Sequence, residues 1–183
     1  MPAVRAARNR RTTLYFEDRE AFMAQVRADI VTLQRAVERD GWDGLVIRLD
    51  GTSDLGLGED FAREFPTIQF VDYTKILKRA LSMVLDLDHP ANWHITYSAF
   101  EHTTLETIQG LTESGINVSM VFAGKVLPES YMGIRVIDGD ETDLRHLDPV
   151  GVIVGLRMKG VSNAFKASGA ASGFARTIEL VAA

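Results

Sequence analysis

The chain of 183 residues contains no cysteine. This excludes disulfides, thiolate metal sites and iron–sulfur ligation by its own side chains. Its apolar runs are short, far from the roughly 20 residues that a membrane-spanning helix needs. Neither nucleotide fingerprint is present, since G-x-G-x-x-G and GxxxxGK[ST] are both missing. No G-x-S-x-G supports a serine nucleophile, and the four histidines, His89, His94, His102 and His146, show no H-E-x-x-H or related spacing. His94, within an alternating stretch, reads as a hydrogen-bonded sheet histidine. No apolar segment follows the basic residues near Met1, so a secretory signal is not expected and the cytoplasm is the expected compartment.

What is present is ordinary for a soluble globular domain: 46% hydrophobic and 25% charged residues. The net charge of −5 is unevenly spread. Arg5, Arg8, Arg10 and Arg11 precede the first acid, Glu17. Without them 16 basic residues face 25 acidic ones, a balance of −9. An acidic body argues against broad contact with a phosphate backbone, although the basic lead-in could touch nucleic acid. The expected organisation is a basic N-terminal arm, residues 1–15, without a clear period, and a single α/β domain, residues 16–183.

A helix is predicted from Asp18 to Arg39. Phe22, Val26, Ile30, Leu33 and Val37 form its apolar stripe, Asp18 its N-cap and Gly41 its stop. Strands are then predicted at Leu45–Leu49, Thr67–Tyr73, Trp93–Ser98, Asn117–Phe122, Ile134–Ile137 and Gly151–Arg157, with a last one at Phe174–Val181. Helices are expected at Glu59–Phe65, Ile76–Val84 and from Thr103 or Thr104 to Ser114, with a single turn at Asp143–Leu147. The Gly-, Ala- and Ser-rich residues 161–173 read as a loop. Strands alternating with helices argue for a mostly parallel sheet of six to seven strands with flanking helices. The length falls short of the about 250 residues typical of a closed eight-stranded barrel, so an open sheet or an incomplete barrel is expected. An antiparallel pair near the C-terminus fits the shorter late connections.

Parallel strands deliver their exits to one edge, where α/β proteins build ligand sites. The exits carry Arg48, Asp50, Thr52, Ser53 and Asp54, then Asp72, Tyr73 and Lys75. They continue with Ser98, Glu101 and His102, then Asp138, Asp140 and Asp143, and end with Lys159. Neighbouring carboxylates could hold a divalent cation or divide into acid and base. Each acid alone can equally be a turn or helix cap, where Asp bonds the local backbone.

Six segments together resemble a known family: RLDGTSD (Arg48–Asp54), FVDYTK (Phe70–Lys75), WHITYS (Trp93–Ser98), GINVSMVF (Gly115–Phe122), VIDGDETDLRHLDP (Val136–Pro149) and VIVGLRMKG (Val152–Gly160). They are similar to the gene-product-88-like group of uncharacterised proteins from phages, plasmids and integrated mobile elements, over about Arg8 to Phe174. The resemblance implies a mobile-element setting and brings no established reaction. Relatives carry a Cys-containing segment before the counterpart of Arg8. Its absence here implies a short form or a protein that begins further upstream. The layout is also similar to a degenerate radical-SAM-like partial barrel, whose cluster this chain lacks the cysteines to hold.

Two functional expectations follow. The first is an enzyme, or a former enzyme, with a small-molecule or nucleotide site at the strand ends; Asp50, Asp54, Asp72, Lys75 and Glu101 are its candidate catalytic groups. It requires these side chains to converge in one cleft. The second is a non-catalytic accessory protein that binds nucleic acid or a host protein, with the arginine-rich lead-in and acidic body as working surfaces. A self-associating domain with a decayed site is a third.

Overall fold

The computed structural model describes residues 2–159 and 168–176. They fall into two compact units, Met1–Leu45 and Val46–Ala183. In the first, helices α1 (Pro2–Glu17) and α2 (Arg19–Asp40) meet at Asp18. The Asp18 carboxylate accepts the Ala21 N–H at 2.9 Å, and Gly41, at φ 71°, closes α2 in a left-handed cap. Tyr15 packs edge-on against Phe16 and Phe22, with Arg19 over its ring at 5.6 Å. The basic lead-in, which shows no clear period in sequence, is helical. Alanine and arginine dominate it, and their intrinsic helix preference does not require an apolar stripe.

The second unit runs β1 (Val46–Ile47), α3 (Leu57–Glu64), β2 (Gln69–Thr74), α4 (Leu77–Leu85), β3 (Trp93–Ser98), α5 (Leu105–Glu113) and β4 (Val118–Phe122). It continues with β5 (Ser130–Tyr131), β6 (Ile134–Asp138), a 3-10 turn (Arg145–Leu147), β7 (Ile153–Arg157) and β8 (Ala175–Arg176). The sheet is open, in the order β1-β2-β3-β4-β7-β6-β5, and β8 pairs with β4. Among the described residues every pairing is parallel except β5 with β6. This antiparallel pair is a hairpin at a sheet edge. Its turn, Met132-Gly133, has φ of 54° and 80°; two positive values give the type I′ twist that suits a two-residue hairpin loop. A helical turn occupies 168–171, within the stretch expected as a loop; the rest of that stretch over 161–167 lies outside the described residues, and so does the predicted strand beyond Arg176.

β3 and β4 stay paired only at Tyr97↔Val118 and Ser98↔Ser119. Farther along, β8 bonds β4 at Val121↔Ala175 and Phe122↔Arg176. The two central strands therefore diverge toward their carboxyl ends, and β8 takes the edge of β4 that β3 has left. The Arg176 guanidinium donates to the Thr103 carbonyl at 3.0 Å, fixing β8 to the exit of β3.

Residues paired across a parallel sheet share a face, and faces alternate along each strand. The register puts Phe70, Trp93, Ile95, Tyr97, Val118, Met120 and Ile153 on one face. Ala80 of α4 and Ile108 and Leu111 of α5 join Tyr97, Val118, Met120, Phe122 and Ile153 in the main core, so this is the face the helices cover. The opposite face carries Tyr73, Thr96, Ser98 and Ser119 from β2, β3 and β4. Four polar side chains on three adjacent strands mark it as the face that is not built for helix packing.

Candidate ligand site at the strand ends

The polar face opens into a cleft of about 560 Å³ lined by Arg48, Tyr73, Ser98, Ser119, Leu156 and Lys159, with Gly139–Asp143 of the β6–β7 connection. Its floor is the sheet; its wall is that connection. Gly139 comes in against β7, its N–H bonded to the Gly155 carbonyl at 2.8 Å, and a β-carbon there would strike Val154 and Leu156. The Arg157 guanidinium grips Asp138 through two bonds of 2.7 Å and reaches Asp140 at 3.2 Å, while the Arg157 N–H donates to Asp140 at 2.9 Å. Lys159 pairs with Asp140 at 2.9 Å. These cations hold both carboxyls below the ordinary carboxylate range. For Asp138 the side-chain bond from Arg157 is the main cause, and for Asp140 the backbone bond from Arg157, then Lys159.

Farther along the connection, Arg145 is 0% exposed. It pairs with Asp148 at 3.2 Å and donates to the Thr142 carbonyl, while its Nε has no hydrogen-bond partner among the described residues. Its charge acts on Tyr73: burial raises the phenol's pKa, and Arg145 and Arg48 pull it back. Arg48 itself lies over the Tyr73 ring, 4.4 Å from its centroid. This stacking engages the guanidinium face and leaves its in-plane N–H groups available.

Of the residues singled out from sequence, Arg48, Tyr73, Ser98, Asp140, Asp143 and Lys159 line this cleft. The carboxylates placed first among the candidates do not join them. Asp72 lies one residue from Tyr73 and so on the opposite, helix-covered face. It is 3% exposed and accepts the Trp93 indole N–H at 3.0 Å and the Asp50 N–H at 3.1 Å. Burial, the leading cause, pushes its pKa up to about 6. Asp50 accepts from Ser53 Oγ at 2.7 Å and Gly56 N–H at 2.6 Å, closing the loop between β1 and α3. Asp54 binds Thr74 Oγ1, the Lys75 N–H and Arg79, tying that loop to the start of α4. Only Asp50 is a local cap, the alternative that each acid carried in sequence; Asp54 and Asp72 instead tie together segments 20 or more residues apart in the chain.

Lys75 stands over the Phe100 ring at 5.7 Å, and His102 meets the same ring edge-on at 5.9 Å. Glu101, His102 and Thr52 are exposed and do not line the cleft. Asp138 is taken up by Arg157, as described. Ser119, Glu141, Thr142 and Leu156 are cleft residues that sequence reasoning missed. The signal for Ser119 was there, a hydroxyl in the middle of an apolar strand. Among the described residues no group of three or more His, Asp or Glu side chains is placed to hold a metal ion, and no helix is long and apolar enough to cross a membrane.

A second cavity, about 330 Å³, lies near the amino ends of β2 and β3, lined by His89, His94 and His146 with Gln69, Asp86 and Trp93. His89 is committed to structure: its ring stacks on Trp93 and its Nε2 meets the Trp93 carbonyl at 2.7 Å. Burial, aided by His146, Arg145 and His89, lowers the His94 pKa to about 4, so its ring is neutral at physiological pH.

Compared with known proteins, the chain matches the family model described as Gene product 88 over residues 1–178. No curated protein and no solved structure matches it.

Proposed function

The chain belongs to the Gene product 88 family, and we propose that its working part is a small-molecule site in the strand-end cleft, used by an enzyme or by a descendant of one. One observation carries this reading. Side chains from β2, β3 and β4 and the exit of β1 project onto the sheet face opposite α4 and α5, into a cleft walled by a connection that ion pairs hold in place. A sheet face evolved only for packing would be apolar there. Asp50, Asp54 and Asp72 act as scaffold in this reading. The cleft acids Glu141 and Asp143 take their place as candidate proton-transfer groups. In this reading the protein serves a phage, plasmid or other mobile element and works in the cytoplasm.

The test is an NMR screen of the whole protein against neutral and charged small molecules. Binders should shift Ser98, Ser119 and Gly139–Asp143. Ser98→Leu, which fills the cleft from β3, should remove those shifts without lowering the melting temperature. Binders that map elsewhere, or that bind Ser98→Leu unchanged, count against the site.

A second reading rests on α1. Arg5, Arg8, Arg10 and Arg11 are exposed along a helix whose sole acid is Glu17. Such a helix suits a nucleic-acid backbone. Affinity for a DNA duplex should then fall steeply across a salt series, and no binding at low salt removes the idea.

A further inference from the structure

Resting on the reading of the cleft as a small-molecule site, we propose that its ligand is a small phosphorylated polyol, with the phosphate on Arg48 and the hydroxyls toward Glu141 and Asp143. The cations around the cleft are nearly all committed: Arg157 to Asp138 and Asp140, Lys159 to Asp140, and Arg145 to Asp148 and the Thr142 carbonyl. Arg48 is the exception. In an acidic protein it forms no ion pair among the described residues; the Tyr73 ring lies beneath it, and the buried Asp72 feels its charge as only a minor effect. A guanidinium so stacked keeps its planar fork of donors for an oxyanion, which it grips through two parallel bonds.

The hydroxyls of Tyr73 and Ser98 line the same cleft and make no hydrogen bond among the described residues. Arg48 takes two oxygens of an oxyanion, and these hydroxyls suit a third. That count favours phosphate over carboxylate. The side-chain carboxylates of Glu141 and Asp143 are likewise without a hydrogen bond or ion pair among the described residues, and ionised carboxylates only accept. A bare anion would be repelled by them. A ligand that pairs its phosphate with several hydroxyl donors satisfies both ends, and a cleft of about 560 Å³ is ample for it.

The experiment is a set of titrations at fixed ionic strength, read by calorimetry and by NMR shifts of the cleft residues. The probes are ribose 5-phosphate, inorganic phosphate and ribose. Ribose 5-phosphate should bind at least about tenfold more tightly than either part, the scale of one charge-assisted hydrogen-bonded contact. Arg48→Ala should cost at least about tenfold against ribose 5-phosphate and phosphate but leave ribose unchanged. Arg48→Lys, which keeps the charge and loses the fork, should recover only part of the affinity. The double variant Glu141→Gln, Asp143→Asn should bring ribose 5-phosphate down to the level of phosphate. Equal binding of ribose and ribose 5-phosphate, or an Arg48→Ala protein that binds phosphate normally, overturns the assignment. Silence toward all three probes, with cleft shifts from other compounds in the wider screen, overturns the phosphate assignment and leaves the small-molecule site standing. Silence in both screens overturns both.

Discussion

Asp72 and His94 sit on opposite faces of neighbouring strands and are perturbed in ways that oppose each other in pH. Asp72 keeps its proton in the fold up to about pH 6, whereas the unfolded chain releases it near 3.8. Its contribution to stability is therefore present below about pH 4 and is lost as pH rises through 6, a loss on the order of 3 kcal/mol. His94 has the reverse sign. The unfolded chain takes up its proton near 6.5, but the fold resists until about 4, so stability is lost as pH falls between those values. In the native protein the two slopes offset each other between about pH 4 and 6. Asp72→Asn removes one of them, so this variant should lose stability more steeply than the parent from pH 6.5 to 4.5 in urea titrations. His94→Gln should gain stability over the same interval; parallel profiles for all three proteins would contradict the assignment. Gly58 tests the same buried acid from above. A β-carbon there would overlap the Trp93 indole nitrogen and the Asp72 carboxylate, which lets only glycine seat α3 on that bond. Gly58→Ala should cost about 1–3 kcal/mol, the scale of overpacking a core. The fluorescence of buried Trp93 should report it as a lower urea midpoint, and an unchanged midpoint would rule the contact out as tight.

Among the elements, the β6–β7 connection decides whether a cleft exists. Asp138 and Asp140 are held by Arg157 at the end of β7, and their depressed pKa values mean that this hold is present at neutral pH and weakens in strong acid. Arg157→Gln should speed amide exchange at Gly139–Asp143 at pH 7 while β3 and β4 keep their protection; exchange that rises everywhere would show a global role instead. Much of this architecture was legible in sequence. The apolar runs located every strand of four or more residues among the described ones, and Asp18 and Gly41 marked helix ends that the structure reproduces; of the two cap candidates Thr103 and Thr104, it uses Thr104. The two-residue strand β5 was missed because Ser130-Tyr131 has no apolar run of its own. The composition of the cleft was less legible, for a reason of period. Asp72 and Tyr73 are adjacent, so grouping them by strand exit joined residues that point to opposite sides of the sheet. Alternation separates Phe70, Asp72 and Thr74 from Val71 and Tyr73, and the apolar partners decide which set faces helices. Nothing local marked Arg145 as buried, because its burial follows from how a long connection folds back over the sheet.

For the whole molecule, the strand order sets a gradient of stability. β4 is bonded along one edge by β7 and along the other by β3 and then β8, at the centre of the sheet. β1 and β5 are two-residue strands at its ends. Opening should therefore start at the edges, since few bonds and little buried apolar area hold them. In hydrogen exchange, Val46, Ile47, Ser130 and Tyr131 should be replaced first, and the amides of Ile95, Met120 and Val154 last. The cleft lies across this gradient, with Ser119 on the most protected strand and Arg48 just beyond the least protected one. A ligand gripped by Arg48 binds only the state in which β1 is docked, so it stabilises that state in proportion to its occupancy. Ribose 5-phosphate at saturation should slow exchange at residues 46–48 strongly and at Val118–Phe122 hardly at all, because the centre already opens only with the whole fold. Equal slowing at both places would mean that the ligand stabilises the molecule globally and that β1 is not a separately opening edge. No slowing at residues 46–48, with shifts still seen at Ser98 and Ser119, would place the ligand on the sheet floor without Arg48.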